Sequence, residues 1–374
     1  MNITMCVFYG FWSFSIGLSL GSFFKLIVDR YGTNESIIYK PSYCSHCKKN
    51  LFWWHNIPVL SYLILRGKCY FCKNKIDVNC LYAEVITAST ALILSVHTCL
   101  NNEPISHTLF LLFFIMTLIL LSMFDLKHRI VPHKITYSAI TLIIIFQFLL
   151  TKEFYISFLN LGIAFLFMDS LYFLTTLFKK FEMEINHISI PVLFWSIAFF
   201  FNQNLYMVIF AIFIYFLLLK INLPGKLINL SWFILLFFLS FLIYKSVFIN
   251  LAVNNLITLF SGIGIIYFVC EIIFYFLPMV VQTSDFIKNK EENETKITIG
   301  GGDITVFALI SVFSGFKLAF LTLFIASLLA TLSHLIIRAG GKYINFPQEK
   351  ISQYIPLVPF LTLASFIIIT FNVY

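Results

Sequence analysis

Charge is scarce in this chain: 17 Asp and Glu and 25 Lys and Arg among 374 residues, of which 60% are hydrophobic. A soluble domain of that length needs more polar surface, so a soluble globular fold is excluded. The weak alternation in segments of about ten residues that marks a transmembrane barrel is missing too. No glycine-rich βαβ unit for nucleotides is visible, which excludes a soluble-type methyltransferase fold. No convincing pair of inverted repeats appears, and a transporter would predict one. The first apolar run has neither a basic n-region nor a clear small-residue cleavage site, so it reads as a membrane span rather than a cleaved signal.

What the chain does have is a series of apolar runs close to 20 residues, the length that crosses a bilayer core. The expected fold is an all-α polytopic membrane protein of about 12 transmembrane helices with a small cytoplasmic zinc-binding loop. The expected spans are roughly 3–28, 80–99, 105–124, 135–150, 156–178, 188–201, 205–219, 229–248, 255–282, 304–316, 319–337 and 355–372. With the N-terminus outside, only Lys152, Lys245 and Lys317 of the 25 Lys and Arg fall outside; Lys25 lies in the first span, which leaves 21 inside. That bias agrees with the positive-inside rule. It accounts for the net charge of +8 through anionic lipid, with no nucleic-acid partner.

The only sizeable polar piece is the loop after the first span. It holds Cys44-Ser45-His46-Cys47 and, after 21 intervening residues, Cys69-Tyr70-Phe71-Cys72. Two such pairs at this spacing predict a zinc site with Cys44, Cys47, Cys69 and Cys72 as ligands. A loop too short for its own core would draw folding energy from the metal. The alternative is two disulfides or free thiols, and a reducing cytoplasm opposes the disulfides. Cys6, Cys99 and Cys270 fall in spans and read as small apolar fillers. Cys80 has no evident partner.

Two carboxylates occupy matching positions at span ends. Asp125 closes an apolar run and opens the basic loop 126–134. Asp303 follows Gly300-Gly301-Gly302 and opens another run. Glycines there remove bulk and let another backbone approach. A paired arrangement would share one proton, one carboxylate activating water and the other polarising a carbonyl. An isolated interfacial Asp more often caps a helix or pairs with a base; two matched sites favour the catalytic reading. Asp169 and Glu271, inside spans, are expected to stay protonated within the bundle. Glu84 reads as an interfacial helix-start acid, or else as part of a methyl-transfer site. His128 and His133 read as solvated loop residues beside Asp125. Glu182, Glu184, Glu291 and Glu292 read as a solvated face.

These motifs together resemble the type IV prepilin peptidase family. The resemblance is carried by Gly17-Leu18-Ser19-Leu20-Gly21-Ser22-Phe23-Phe24, Pro41-Ser42-Tyr43-Cys44, the 56–61 stretch and Arg66-Gly67-Lys68-Cys69. Asp125 with Ile130-Val131-Pro132, then Gly300-Gly301-Gly302-Asp303, and Ile355-Pro356-Leu357-Val358-Pro359-Phe360 follow in the family's order. It implies a GxGD-type intramembrane aspartic protease with Asp125 and Asp303 catalytic. Its substrates would be prepilin or pseudopilin precursors, cut after a basic leader at the cytoplasmic face of the bacterial inner membrane. It also implies S-adenosylmethionine-dependent N-methylation of the new N-terminus.

The chain departs from the family pattern at Lys25, Lys127, His133 and Thr305, where an Asn, an acid, an acid and a base are frequent. Its aspartates lie 178 positions apart, far more than the family's usual gap. The expected organisation is a first helix at 1–28, the four-cysteine loop at 29–79, helices carrying Asp125 at 80–186, added helices without family counterpart at 187–290, and the GGGD motif with C-terminal helices at 291–374. The alternatives are a peptidase without methyl transfer, a non-catalytic membrane assembly platform, and a cation-coupled transporter.

Overall fold

The structure is a computed structural model that describes residues 3–33, 35–37, 39–151, 154–179, 260–265, 268–269, 301–340 and 356–371. Its helices are α1 (Ile3–Arg30), α2 (Leu60–Ile64), α3 (Val78–Leu100), α4 (Ile105–His128), α5 (His133–Thr151), α6 (Phe154–Lys179), α7 (Gly301–Ser314), α8 (Phe316–Gly340) and α9 (Val358–Thr370), with a 3-10 turn at Trp53–Asn56. Among the described residues there is no strand, only the isolated bridges Tyr43–Asn50 and Lys68–Lys75. The helices α1, α3, α4 and the first part of α8 are long and apolar enough to cross a membrane; α5, α6, α7 and α9 are shorter apolar helices. The expected spans at 188–201, 205–219 and 229–248 lie outside the described residues, as does most of 255–282.

The chain divides into two compact units, 1–131 with 325–374, and 132–324. In the first, α1 and α3 form an antiparallel pair. Two of the motif glycines explain how closely they approach. A Cβ on Gly17 would stand 2.7 Å from the Ala88 Cα, and one on Gly21 would stand 2.2 Å from the Thr87 hydroxyl and 2.7 Å from the Glu84 Cα. This is a small-xxx-small crossing, where bare backbone replaces side chains at the contact. The Thr87 hydroxyl lies 2.8 Å from the Gly17 carbonyl, bridging the helices. Gly21→Ala is therefore expected to force the pair apart, with an overpacking cost of ~1–3 kcal/mol. A lower thermal midpoint in detergent is the readout, with Gly301→Ala as the control, since a Cβ there meets nothing within 4 Å.

At the other end of the same pair, Cys6 and Cys99 form a disulfide, with Cα atoms 5.5 Å apart. They are not the separate apolar fillers that composition suggested. Which thiols meet depends on which helices pair, and hydropathy does not encode that. Cys270 lies outside the described residues, and Cys80 is free.

Helix α4 is buried on nearly every side from Leu111 to Asp125, the pattern of a helix enclosed by others. It ends at Arg129, whose left-handed φ of 56° lets its amide reach the Asp125 carbonyl at 3.1 Å. Helix α9 packs along it, stitched by Ser122 and Thr362, whose hydroxyls lie 2.6 Å apart.

In the second unit α7 is the enclosed helix, buried from Ile304 to Phe313. Gly315, at φ +85°, ends it. Polar side chains within the apolar helices satisfy that end. The Gln147 amide donates to the carbonyls of Val312 and Phe313. Asn160 accepts the Phe316 amide through its side chain and the Ser311 hydroxyl through its carbonyl. The helical stretch 260–265 meets α6 through reciprocal glycines: a Cβ on Gly162 would lie 2.0 Å from the Phe260 carbonyl, and one on Gly264 would lie 2.1 Å from the Phe158 carbonyl. Residues 260–265 are thus packed backbone to backbone on α6.

Candidate functional site

The four-cysteine loop is built from two turns of the same design. Lys48 donates its amide to the Cys44 carbonyl at 2.9 Å, and Lys73 donates to the Cys69 carbonyl at 3.0 Å. Both lysines are left-handed, at φ 57° and 60°. Each turn is closed by a bridge between its flanks, Tyr43 with Asn50 and Lys68 with Lys75. The turns bring the sulfurs of Cys44, Cys47, Cys69 and Cys72 within 4.8 Å of one another. Cys44 and Cys72 are 3.8 Å apart at sulfur. Zinc–sulfur bonds of about 2.3 Å in a tetrahedron give an edge of about 3.8 Å, so the spacing suits zinc. His46 is outside this cluster.

The thiols already feel one another. Burial alone would raise Cys69, but the amides of Cys72 and Phe71 and the neighbouring thiols hold it at about 7. The Asn74 amide lowers Cys72, yet lost hydration and the three other cysteines push it up to about 11. Four sulfurs this close cannot all ionise unaided, and a divalent cation removes that conflict.

The rest of the loop is tied down by two buried ionisable groups. Arg30, at the end of α1, donates to the carbonyls of Ser36, Lys40 and Pro41. Glu84, between one and two turns into α3, accepts the Val59 amide at 2.7 Å, and Ser22 faces the same carboxyl. Val59 sits at φ 60° and ψ −51°, an outlier for a β-branched residue. Glu84 is 6% exposed, so it is a buried loop anchor, not the interfacial helix-start acid its position suggested. Nothing in the sequence marked this use, because the partner is a backbone amide.

Asp125 is 9% exposed in the last turns of α4. Its Oδ2 accepts the Val358 amide at 3.2 Å, at the start of α9. The Pro356-to-Phe360 motif therefore has a visible role. It presents the N-terminus of α9 to this carboxylate, where an anion is favoured. Asp303 lies in the first turn of α7, half-buried. Beside it Gly301 is exposed, and among the described residues nothing lies within 4 Å of where its Cβ would be. Asp125 stands in the first unit and Asp303 in the second.

Two departures from the family pattern explain each other. Lys25 and Lys127 both bind Asp29, with Nζ–Oδ1 distances of 2.6 and 2.7 Å, and Lys25 also reaches Asp77 at 3.2 Å. The network joins the ends of α1 and α4 to the start of α3. Asp29 is 42% exposed, so each pair contributes at most about 1 kcal/mol. His128 is not a solvated loop residue: its Nε2 lies 2.8 Å from the Val28 carbonyl, and its ring packs on Tyr31 and Phe124. His133 opens α5 and stacks on Tyr137. Thr305 turns its hydroxyl back to the Gly302 carbonyl. The side chain of Asp169 lies outside the described residues, as do Gly300, Glu182, Glu184, Glu271, Glu291 and Glu292.

Comparison with known proteins bears out the resemblance over the N-terminal part. Residues 15–98 match the family described as Bacterial Peptidase A24 N-terminal domain. The chain is 36% identical over 95 residues to a prepilin leader peptidase/N-methyltransferase of Legionella pneumophila, covering 25% of this chain and 32% of that protein. It is 33% identical over 124 residues to one of Myxococcus xanthus (33% and 36%), and 35% identical over 101 residues to one of Dichelobacter nodosus (27% and 34%). The matched part spans about a third of the length of these relatives. No solved structure matches.

Proposed function

We propose that this chain, similar over its N-terminal helices and four-cysteine loop to prepilin leader peptidases/N-methyltransferases, is an intramembrane aspartic endopeptidase. It cleaves the basic leader from prepilin-like or pseudopilin precursors and methylates the new N-terminus. The observation that carries this reading is the match over residues 15–98, a region whose four thiols the fold gathers within 4.8 Å.

Asp125 and Asp303 are the proposed catalytic pair. Asp125 is already fixed in orientation by the Val358 amide. In the reaction one carboxylate accepts a proton from the attacking water and later passes it to the leaving amine, while the other, protonated, donates to the scissile carbonyl and recovers that proton as the tetrahedral intermediate collapses. The two titrate as a pair, so neither holds a fixed role. The absence of a side chain at Gly301 suits an extended substrate backbone beside Asp303.

Zinc, held by Cys44, Cys47, Cys69 and Cys72, would supply a structural cross-link for the loop. S-adenosylmethionine, implied by the relatives' names, would supply a methyl group. Among the described residues no glycine-rich strand-to-helix turn cradles such a cofactor, so no residue is assigned to it.

We place the chain in the bacterial inner membrane with the loop and both aspartates on the cytoplasmic side. The thiols support this orientation. Cys6 and Cys99 are oxidised at one end of the α1–α3 pair, while the loop cysteines at the other end are free. Cys6 to Arg30 is about 36 Å of helix, enough to separate an oxidising from a reducing compartment. A non-catalytic platform is the second reading, favoured by the structural use of Asp125 at the start of α9. Incubating the purified chain with a prepilin-like peptide and S-adenosylmethionine separates the readings by product mass. A shortened, singly methylated peptide is expected. A shortened unmethylated one removes the transferase, and an intact peptide across several substrates favours the platform.

A further inference from the structure

The loop between α1 and α3 carries an apolar surface that its own fold leaves uncovered. Helix α2 exposes Leu60, Leu63 and Ile64 at 56%, 62% and 69%, and Trp53 before it is 79% exposed. These residues do not join the aromatic cluster of Phe52, Trp54, His55, Tyr70 and Phe71 that packs beside the cysteines. A freely solvated loop has no reason to present them.

The hydrogen bond from Val59 to Glu84 fixes where this surface lies. Glu84 is six residues past Val78, where α3 begins. At the helical rise that is about 9 Å into the apolar span. Val59 immediately precedes α2, so α2 starts at that depth. On α3 itself, Tyr82, Val85 and Ile86 are exposed at neighbouring positions, as expected of a lipid-facing stripe. Arg66 and Lys68, both exposed, follow α2 as the chain returns to the cysteine turn. Apolar side chains at interfacial depth, a tryptophan, and basic residues on the way out form the pattern of a segment lying in a membrane surface.

We propose that residues 57–65 lie in the bilayer interface as an in-plane lip, with Leu60, Leu63 and Ile64 in the acyl–headgroup boundary, and that Glu84 sets its depth through the Val59 amide. The four-cysteine cluster is then held against the membrane surface rather than suspended from it. The inference depends on α3 crossing the bilayer and not on the enzymatic reading. Anionic headgroups complement Arg66 and Lys68.

The test uses the full chain in nanodiscs of phosphatidylcholine and phosphatidylglycerol. The photoreactive residue benzoylphenylalanine is placed singly at Leu63, at Ile86 and at Lys48, and adducts are read by mass. Lipid adducts at 63 comparable with those at 86, and none at 48, are expected. Glu84→Leu, which removes the acceptor, should lower the yield at 63 several-fold and leave 86 unchanged. Adducts at 86 but not at 63 overturn the lip. Adducts at 63 to an added prepilin-like peptide in place of lipid also overturn it, and make the surface a substrate dock. Loss of adducts at both 63 and 86 overturns the membrane placement of α3 itself, a failure separate from that of the enzymatic reading.

Discussion

Asp125→Ala and Asp303→Ala are each expected to lower leader cleavage by roughly 10²–10⁴-fold, the range that positioned proton transfer contributes. The double variant should be no worse than the weaker single one, because groups that act as a unit are not additive. The measurement is the initial rate of peptide shortening, followed by mass, on protein of matched thermal stability. Matching matters most at Asp125, since its carboxylate also receives the Val358 amide at the start of α9. Alanine leaves that amide without its acceptor, at a cost of about 1–3 kcal/mol. Asp125→Asn separates the two roles. An amide oxygen still accepts from Val358 but cannot exchange the proton, so stability should be kept and cleavage lost. Full cleavage by Asp125→Asn would remove Asp125 from the catalytic pair and leave its carboxylate as a helix cap. Asp303 sits in the first turn of α7 beside Gly301, half-buried, and its replacement is expected to give the same catalytic loss. Methylation of a pre-cut peptide should survive in both variants, because the proposed transferase chemistry does not use the pair.

Spacing, periodicity and charge made different parts of this molecule legible. The apolar runs of α1, α3 and α4 are read directly from hydropathy, since a bilayer sets their length. The cysteine pairs are equally plain, because metal ligation demands short local spacing, and the fold brings the four sulfurs together. Other features depend on which helices become neighbours. Gly17 and Gly21 stand out as a motif, yet only the α1–α3 contact reveals that they admit the backbone of Ala88 and Glu84. Cys6 and Cys99 are 93 residues apart, and their bond follows from that same pairing. Lys25 and Lys127 looked like independent departures, but one carboxylate, Asp29, binds both. Glu84 was hardest to place, because it serves a main-chain amide at a position no residue type marks. The Pro356-to-Phe360 motif was visible without its role, which is geometric: it delivers a helix start to Asp125.

Removing the zinc proposed for the four cysteines should have the second large effect, confined to the loop. The segment between Arg30 and Val78 has short helical turns, two isolated bridges and one aromatic cluster, too little buried surface to hold itself. Structural zinc sites of this ligand class contribute ~10–16 kcal/mol of apparent binding energy at neutral pH. The purified chain is therefore expected to carry one zinc per molecule by elemental analysis, and Cys69→Ser to carry almost none. Chelation should open both cysteine turns together, because each supplies half the ligands. Limited proteolysis would then cut within residues 43–75 of the membrane-inserted protein and spare α3 and α4. The effect has a sign in pH. Zinc binds thiolates and displaces their protons, so affinity should fall as pH falls. Burial and the neighbouring thiols push Cys72 up to about 11, so its proton is one the cation must displace. Arg30 and Glu84 limit the damage, since both hold loop backbone without using a cysteine. Their contacts predict that the start of the loop and its middle at Val59 remain attached while the knuckles on either side of Val59 come apart. A chelated protein that keeps full protease resistance across 43–75 would mean that the thiols fold the loop without a metal.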